Sequence, residues 1–319
     1  MTVLGELITL GETMVALTAQ ANRPLAYGGA LEMRIAGAES NTAVGMCKLG
    51  HTASFISRLG DDSFGQYVLR MLRAEGVDTS AIRLDPEHPT GLMVKEALPG
   101  TRTAVHYYRA GSAASHMTPD DLPEERIRQS AILHLTGITP VLSESCRRTV
   151  FAAAEIAASA EVPISFDPNI RKKLWKNADH APMIRDLAAR SHYLLMGLEE
   201  AEVLYGSREI SRIASRVFSA SSVRILAVKN GARGAWLCDG SRTLSLPPAD
   251  CFPVDPTGAG DAFNAGLLAG ILDGESLKNC GAQAAIAGAK ATETSGDIES
   301  LITKRELCNL RGNISTVER

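Results

Sequence analysis

The sequence predicts an α/β protein with a mostly parallel central sheet and a small second β-sheet. From residue 40 onward, β-branched segments alternate with segments of helical periodicity, which is typical of β-α units around a parallel sheet. Residues 14–36 and 91–109 instead alternate apolar and polar positions around glycine turns, which favours antiparallel strands without intervening helices. We expect these two stretches to form a lid on a single domain that spans residues 1–319.

The β-α units are predicted in order along the chain. They comprise strand 52–58 and helix 63–75, helix 143–160 and strand 163–167, helix 178–190 and strand 192–196, helix 208–219 and strand 223–229, a helix that begins near Gly258, and a helix at 282–292. Gly76 suits the left-handed position that ends the first of these helices.

The composition is that of an ordinary folded enzyme. The 319 residues are 45% hydrophobic and 22% charged, with a formal net charge of −3. No block of like charges occurs, so neither nucleic acid nor a membrane surface is expected as a partner. The six cysteines lack C-x-x-C spacing, and the start of the chain lacks a basic segment before its apolar stretch. We therefore expect a protein of the reducing cytoplasm.

Residues 252–273 form the candidate catalytic segment. Gly258, Ala259 and Gly260 stand at the predicted helix start, where their backbone N–H groups and the helix dipole favour an anion such as the γ-phosphate of ATP. Asp261 lies in the same first turn and can accept a proton from an attacking hydroxyl. Taken alone, the pattern fits an ordinary helix cap equally well.

Two rival nucleotide motifs are disfavoured. The sequence has no G-x-x-x-x-G-K-[ST], which excludes a P-loop. The run G-A-G-D-A-F has Phe263 where a dinucleotide-binding fingerprint needs its third glycine, and it lies late in the chain. A dinucleotide-dependent oxidoreductase is therefore the weaker interpretation.

Two separated motifs resemble the signatures of the ribokinase-like (PfkB) carbohydrate kinases. Residues 255–261 (DPTGAGD) resemble the C-terminal signature, and AGAESNTA, LG and RLGDD within residues 36–62 resemble the N-terminal one. The resemblance runs over nearly the whole chain and implies a three-layer α/β/α domain with a β-sheet lid. It also implies ATP and Mg²⁺ as cofactors and Asp261 as the catalytic base. A monovalent cation and homo-oligomers that pair through the lid are left open.

The resemblance assigns ligand contacts outside the catalytic segment. Gly37 and Asn41 match positions that contact sugar hydroxyls in this family. Both residue types suit such a contact, since glycine lets the backbone come close to the ligand and asparagine offers a hydrogen-bond donor and an acceptor. Lys229, Gly231 and Gly234 lie in a loop that resembles the nucleotide-side loop of the family. The local pattern alone would also fit a helix start and a hairpin turn, respectively.

A metal contact is implied by Glu200. This residue matches the Glu of the N-x-x-E motif of the family, which acts through Mg²⁺-bound water, whereas Gly197 replaces the Asn of that motif. A glutamate that only caps a helix start is the alternative.

Two further segments and Asp297 resemble 2-keto-3-deoxygluconate kinases. Tyr107 and Arg109 end a lid strand, and Arg171 follows a central strand at the edge where open α/β sheets bind ligands. Guanidinium groups suit a carboxylate, so we expect transfer of the γ-phosphoryl group of ATP to the terminal hydroxyl of 2-keto-3-deoxygluconate or a similar sugar acid. Alternatives are a kinase of a neutral sugar (ribose or fructose) or a nucleoside, and a non-catalytic nucleotide- or sugar-binding regulator.

Overall fold

The computed structural model describes residues 6–19, 25–98, 102–175, 178–219 and 221–311. The strands are β1 (Leu7–Leu10), β2 (Met14–Ala19), β3 (Leu31–Ala36), β4 (Ala53–Gly60), β5 (Ile82–Asp85), β6 (Leu92–Leu98), β7 (Arg102–Tyr108), β8 (Ile132–Thr136), β9 (Ile164–Asp167), β10 (Tyr193–Gly197), β11 (Ile225–Lys229), β12 (Ala235–Cys238) and β13 (Thr243–Leu246). The α-helices are α1 (Ala38–Lys48), α2 (Ser63–Ala74), α3 (Glu124–Gln129), α4 (Thr139–Leu142), α5 (Glu144–Ser159), α6 (Lys172–Trp175), α7 (Ala181–Arg190), α8 (Leu198–Tyr205), α9 (Ile210–Phe218), α10 (Ala259–Leu272), α11 (Leu277–Lys290) and α12 (Lys304–Arg311).

The central sheet is mostly parallel, as the β-α alternation predicts. In the described part of the chain its strand order is β13-β12-β11-β10-β9-β8-β1-β4-β5. The strands from β11 to β5 pair in parallel, and β12 and β13 add an antiparallel edge. Strands β1 and β8 lie inside the sheet and were not predicted, because periodicity alone does not assign such short apolar runs to strands.

Helices cover both faces of this sheet and complete the predicted three layers. Neighbouring side chains such as Leu7 and Ile8 point into different cores because the side-chain period of a strand is two. One core holds α1, α2, α10, α11 and α12, and the other holds α3, α5, α7, α8 and α9. Burying each large apolar side chain contributes about 1.5–3 kcal/mol.

A second sheet has the order β3-β2-β6-β7. The β2–β3 and β6–β7 pairs are antiparallel, as predicted, but β2 and β6 pair in parallel, so the expectation of antiparallel strands throughout is wrong at this pair. The reason is topological: the connection from β2 to β6 contains β3, α1, β4, α2 and β5, and parallel strands need a long connection of this kind.

The helix boundaries differ from the predicted ones by a few residues, with one larger difference. Helix α11 begins at Leu277 instead of residue 282, because Ser276 caps it by accepting a hydrogen bond from the backbone N–H of Asn279 at 3.3 Å. None of the helices in the described ranges combines the length and hydropathy of a membrane-spanning segment.

Candidate active site

The N-terminus of α10 is shaped by Gly258. This residue caps the helix in the left-handed region with φ 78°, where glycine is favoured. A Cβ atom there would also lie 2.8 Å from the carbonyl oxygen of Asp297. Among the described residues, the N–H groups of Gly258 and Gly260 have no backbone or side-chain acceptor, and that of Ala259 reaches the Pro256 carbonyl only at 3.4 Å. These donors remain available to an anion.

Asp261 is buried beside these donors. Its Oδ2 accepts a hydrogen bond of 2.8 Å from Asn41 Nδ2. Burial raises the pKa of Asp261 to about 7. The hydrogen bond from Asn41 and the charge of Lys229 oppose this shift, and the charges of Asp167 and Asp297 add to it. A carboxylate with this pKa is suited to accept and release a proton near neutral pH.

Asn41 joins two carboxylates. Its Nδ2 also donates to Asp297 Oδ2 at 3.1 Å, and Asp297 Oδ1 in turn contacts Lys95 Nζ at 2.7 Å. The amide oxygen of Asn41 is buried and has no hydrogen-bond donor among the described residues. Because buried polar atoms are almost always paired, this oxygen is available to a hydrogen-bond donor of a ligand. The contact of Asn41 with a sugar hydroxyl stays a prediction.

Gly37 stands just before α1, close to Asn41. Its backbone is extended (φ 178°), and a Cβ atom would lie 2.5 Å from the carbonyl oxygen of Glu12. The structure therefore gives a packing reason for this glycine, namely the close approach of the α1 start to the loop between β1 and β2. A role in binding sugar stays a prediction.

A buried cluster of Asp167, Lys229 and Asn264 lies below the N-terminus of α10. Lys229 Nζ is 2.8 Å from Asp167 Oδ2 and 3.1 Å from Asn264 Oδ1, and Asn264 Nδ2 donates to Asp167 at 2.6 Å. Burial alone would raise the pKa of Asp167. The charge and hydrogen bond of Lys229, the hydrogen bond of Asn264 and the charge of His134 together hold that pKa below the ordinary value. Lys229 Nζ would be 3.7 Å from a Cβ on Gly260, so a positive charge faces the helix start.

Asp167 and Asn264 were not predicted as site residues. Asn264 follows Asp261 by three positions in α10, and this spacing places both on one helix face. Asp167 is the last residue of β9, where the carboxyl ends of parallel strands bind ligands.

Both carboxylate oxygens of Glu200 accept hydrogen bonds from backbone N–H groups. Its Oε1 accepts from the N–H of Ile170 and its Oε2 from the N–H of Gly197, both at 2.6 Å. Burial and the charge of Asp167 raise the pKa of Glu200. In the described ranges no set of three or more His, Cys, Asp or Glu side chains is arranged to hold a metal ion. The helix-capping interpretation of Glu200 is thus realised, and its metal role stays a prediction.

The two glycines of the nucleotide-side loop differ in their surroundings. A Cβ atom on Gly231 (φ 56°) would have no heavy atom of the described residues within 4 Å, apart from its chain neighbours, so it would point into open space. A Cβ on Gly234 (φ 86°) would lie 2.1 Å from the carbonyl oxygen of Leu246, so that glycine is required by strand packing.

Arg109 has a carboxylate partner within the protein. Its Nε is 2.6 Å from Oε2 of the buried Glu12, which also accepts a hydrogen bond of 2.5 Å from Ser112 Oγ. The Arg109 guanidinium lies 5.7 Å from the ring centroid of Tyr107. Arg171, by contrast, is exposed. Glu12 was not predicted, although its position after a buried strand would have marked it.

Comparison with known proteins identifies a matching family, two similar sequences and a similar solved structure. The family model described as pfkB family carbohydrate kinase matches residues 5–304. A 2-dehydro-3-deoxygluconokinase of Bacillus subtilis (strain 168) is 34% identical over 322 residues, covering 98% of this chain and 97% of that protein. One of Thermoproteus tenax is 33% identical over 305 residues, covering 94% and 92%. An uncharacterized sugar kinase from Pyrococcus horikoshii in complex with ATP has a TM-score of 0.84 at 26% identity, covering 97% and 100%.

Proposed function

This chain belongs to the pfkB family of carbohydrate kinases, and from that premise we propose that it is an ATP-dependent kinase of 2-dehydro-3-deoxygluconate (2-keto-3-deoxygluconate) or a similar sugar acid. The γ-phosphoryl group moves to the terminal hydroxyl of the acid, ADP leaves, and the hydroxyl proton passes to Asp261. The observation that carries the proposal is the contact of Asn41 with Asp261 at the N-terminus of α10.

Different groups of the chain would carry out the proton removal and the stabilisation of charge in this transfer. Asp261 removes the proton, and its pKa of about 7 leaves much of it ionised at neutral pH. The N–H groups of Gly258, Ala259 and Gly260, with the helix dipole, stabilise the charge on the transferring phosphoryl group. Lys229 adds a positive charge beside the same helix start.

Mg²⁺ fits the residues present. Because Mg²⁺ keeps several waters and takes one or two carboxylates together with substrate phosphates, a cage of protein ligands is not required. Asp167 ends β9, and Glu200 lies in the first turn of α8, directly after β10. We propose that Glu200 acts on this ion through water. When bound, Mg²⁺ neutralises phosphate charge.

We propose that Arg171 and Arg109 recognise the carboxylate of the sugar acid, with Tyr107 beside them. Arg171 is exposed at the end of the segment that follows β9, so its charge is available to an anion. Arg109 shares its charge with Glu12 and contributes less free charge. Asn41, Gly37 and the Asp297 carboxylate would face the hydroxyl groups.

Three finer points belong to the same proposal. The described cysteines are all unpaired, which fits a reducing cytoplasm. The exposed apolar side chains Leu31, Met33 and Tyr108 on the small sheet support pairing of two copies through it. A monovalent-cation requirement is measured by comparing turnover in K⁺ with turnover in tetramethylammonium.

The proposed function is tested by ADP release over a panel of acceptors. The panel contains 2-dehydro-3-deoxygluconate, its neutral analogue lacking the carboxylate, ribose, fructose and a nucleoside, each with Mg-ATP. We expect the highest kcat/KM for the sugar acid, and a phosphate ester at its terminal carbon in the ³¹P spectrum. Higher kcat/KM for a neutral sugar or a nucleoside would replace the sugar-acid assignment, and failure on every acceptor would favour the regulator.

A further inference from the structure

Lys95 brings a buried charge from the small sheet into the candidate active site. It lies on β6, its side chain is only 8% exposed, and its Nζ contacts Asp297 Oδ1 at 2.7 Å. Asp297 belongs to the turn after α11, so the pair joins two different parts of the fold. Because a buried ammonium is costly without a carboxylate partner, this contact ties the small sheet to that turn.

Asp297 links Lys95 to Asp261, the proposed base, through Asn41. Its second oxygen shares the Nδ2 group of Asn41 with Asp261, at 3.1 Å and 2.8 Å respectively. Two carboxylates that meet at one amide group repel each other when both are ionised. Lys95 places a positive charge in direct contact with Asp297, one member of this carboxylate pair.

The turn that carries Asp297 also borders the anion site. A Cβ atom on Gly258 would lie 2.8 Å from the carbonyl oxygen of Asp297. Arg34 on β3 holds the same turn by donating to the carbonyl oxygen of Ser295. Two basic residues of the small sheet thus fix the turn on one side, and the turn packs against the N-terminus of α10 on the other.

We propose that Lys95 is a positioning residue for phosphoryl transfer, which holds Asp297 and, through Asn41, sets the orientation and charge of Asp261. This inference rests on the function proposed above. The charged groups that face Asp261 are Asp167 from β9, Lys229 from β11 and Asp297. Without the ammonium of Lys95, the negative charge of Asp297 beside Asn41 is no longer neutralised, so Asp261 should keep its proton to higher pH.

The test compares Lys95→Met with Lys48→Met. Lys48 Nζ donates to the carbonyl oxygen of Ile298 at 2.9 Å, so it contacts the same turn from α1 without touching either carboxylate. We expect Lys95→Met to lower kcat by about 30-fold or more and to move the acid limb of the kcat–pH profile upward by about one to three units. Lys48→Met should leave both unchanged. A folded Lys95→Met protein with wild-type kcat and pH profile overturns the proposal.

A double substitution separates the effect of losing the Lys95 charge from the effect of changing the shape of its side chain. In Lys95→Met/Asp297→Asn the carboxylate that Lys95 neutralises is removed together with the ammonium, so the acid limb should return to the wild-type position or below it. Lys95→Gln, which keeps a donor for Asp297, replaces Lys95→Met if that variant does not fold. An acid limb that stays shifted in the double variant contradicts the proposed mechanism.

One readout does not depend on turnover. The carboxyl carbon of Asp261 can be titrated by NMR in the wild type and in Lys95→Met, with Asp261→Asn to assign the signal. A higher midpoint in Lys95→Met supports the proposal, and identical midpoints overturn it. Absence of turnover by the wild type on the whole acceptor panel would overturn the proposed function while leaving this titration decisive for Lys95.

Discussion

Asn41 and Asp261 lie 220 residues apart in sequence and are joined by a hydrogen bond of 2.8 Å from Nδ2 to Oδ2. The contact is possible because α1 and α10 pack closely, where a Cβ on Gly45 would lie 2.6 Å from the Cβ of Ala265. The N-terminal and C-terminal motifs thereby become one buried site.

The first prediction concerns Asp261→Asn. Asparagine can still accept the hydrogen bond from Asn41 but cannot take a proton, so kcat should fall by on the order of 10²–10⁴ while ATP affinity is kept. Steady-state kinetics and a nucleotide titration measure these two effects. Asp273→Asn, at the other end of α10, is the control and should turn over normally. Near-normal kcat in folded Asp261→Asn would remove Asp261 from the role of base.

The second prediction is a pH dependence of both rate and stability. The pKa of Asp261 is raised from 3.8 to about 7, so kcat should be lost as pH falls through this value. The folded state also binds the proton more tightly than the unfolded state, so this group lowers stability progressively from about pH 4 to pH 7. The Tm of Asp261→Asn minus that of the wild type should therefore increase between pH 4 and pH 8. A constant difference would argue against the raised pKa.

The third prediction compares Gly260→Val with Gly266→Val on the same helix. Within the described part of the chain, Lys229 Nζ at 3.7 Å is the one heavy atom found within 4 Å of a Cβ on Gly260, outside its own helix. Valine should therefore fold there yet crowd the phosphate and damage turnover more than Tm. At Gly266 a Cβ would lie 2.9 Å from Ala284 Cα, so valine should lower Tm by overpacking. Thermal melts and kcat measurements distinguish a functional role of each glycine from a structural one. Equal loss of Tm and turnover in Gly260→Val would make Gly260 a structural glycine.

The fourth prediction separates the two arginines. Losing a partner of a bound carboxylate costs roughly 2–5 kcal/mol, so Arg171→Ala and Arg109→Ala should each lower kcat/KM for the sugar acid by about 30-fold to several thousand-fold, mostly through KM. Arg171 is exposed, so its removal should not change Tm. Removing Arg109 leaves Glu12 buried and unpaired and should lower Tm as well.

A paired substitution provides the control for Arg109. Arg109→Met/Glu12→Gln leaves no unpaired charge, so it should recover Tm without recovering affinity for the acid. Full activity on the sugar acid in both single arginine variants would contradict carboxylate recognition by these residues.

The fifth prediction tests Glu200→Gln. A glutamine oxygen can accept only one of the hydrogen bonds that Glu200 now accepts from Gly197 and Ile170, and the negative charge is lost. If Glu200 acts on Mg²⁺ through water, the Mg²⁺ concentration for half-maximal rate should rise by about tenfold or more. An unchanged Mg²⁺ dependence accompanied by a lower Tm would leave Glu200 with its capping role alone.

Local sequence signals were sufficient for the layered fold and for part of the site. Residues close together in the chain specify the alternation of strands and helices. They also specify the helix start at Gly258 and the position of Asp261 in the first turn of that helix. The family membership inferred from two separated motifs is confirmed over residues 5–304. These features depend on short-range backbone geometry, which neighbouring residues specify.

Tertiary structure alone decided the partners of the charged groups. The parallel pairing of β2 with β6, the Glu12–Arg109 pair and the Lys95–Asp297 pair each join residues that chain order does not bring together. The raised pKa of Asp261 likewise requires burial among groups from other elements. Sequence specifies which side chains can ionise, but the free energy of each charge depends on desolvation and neighbouring charges, and these exist only once the chain has folded.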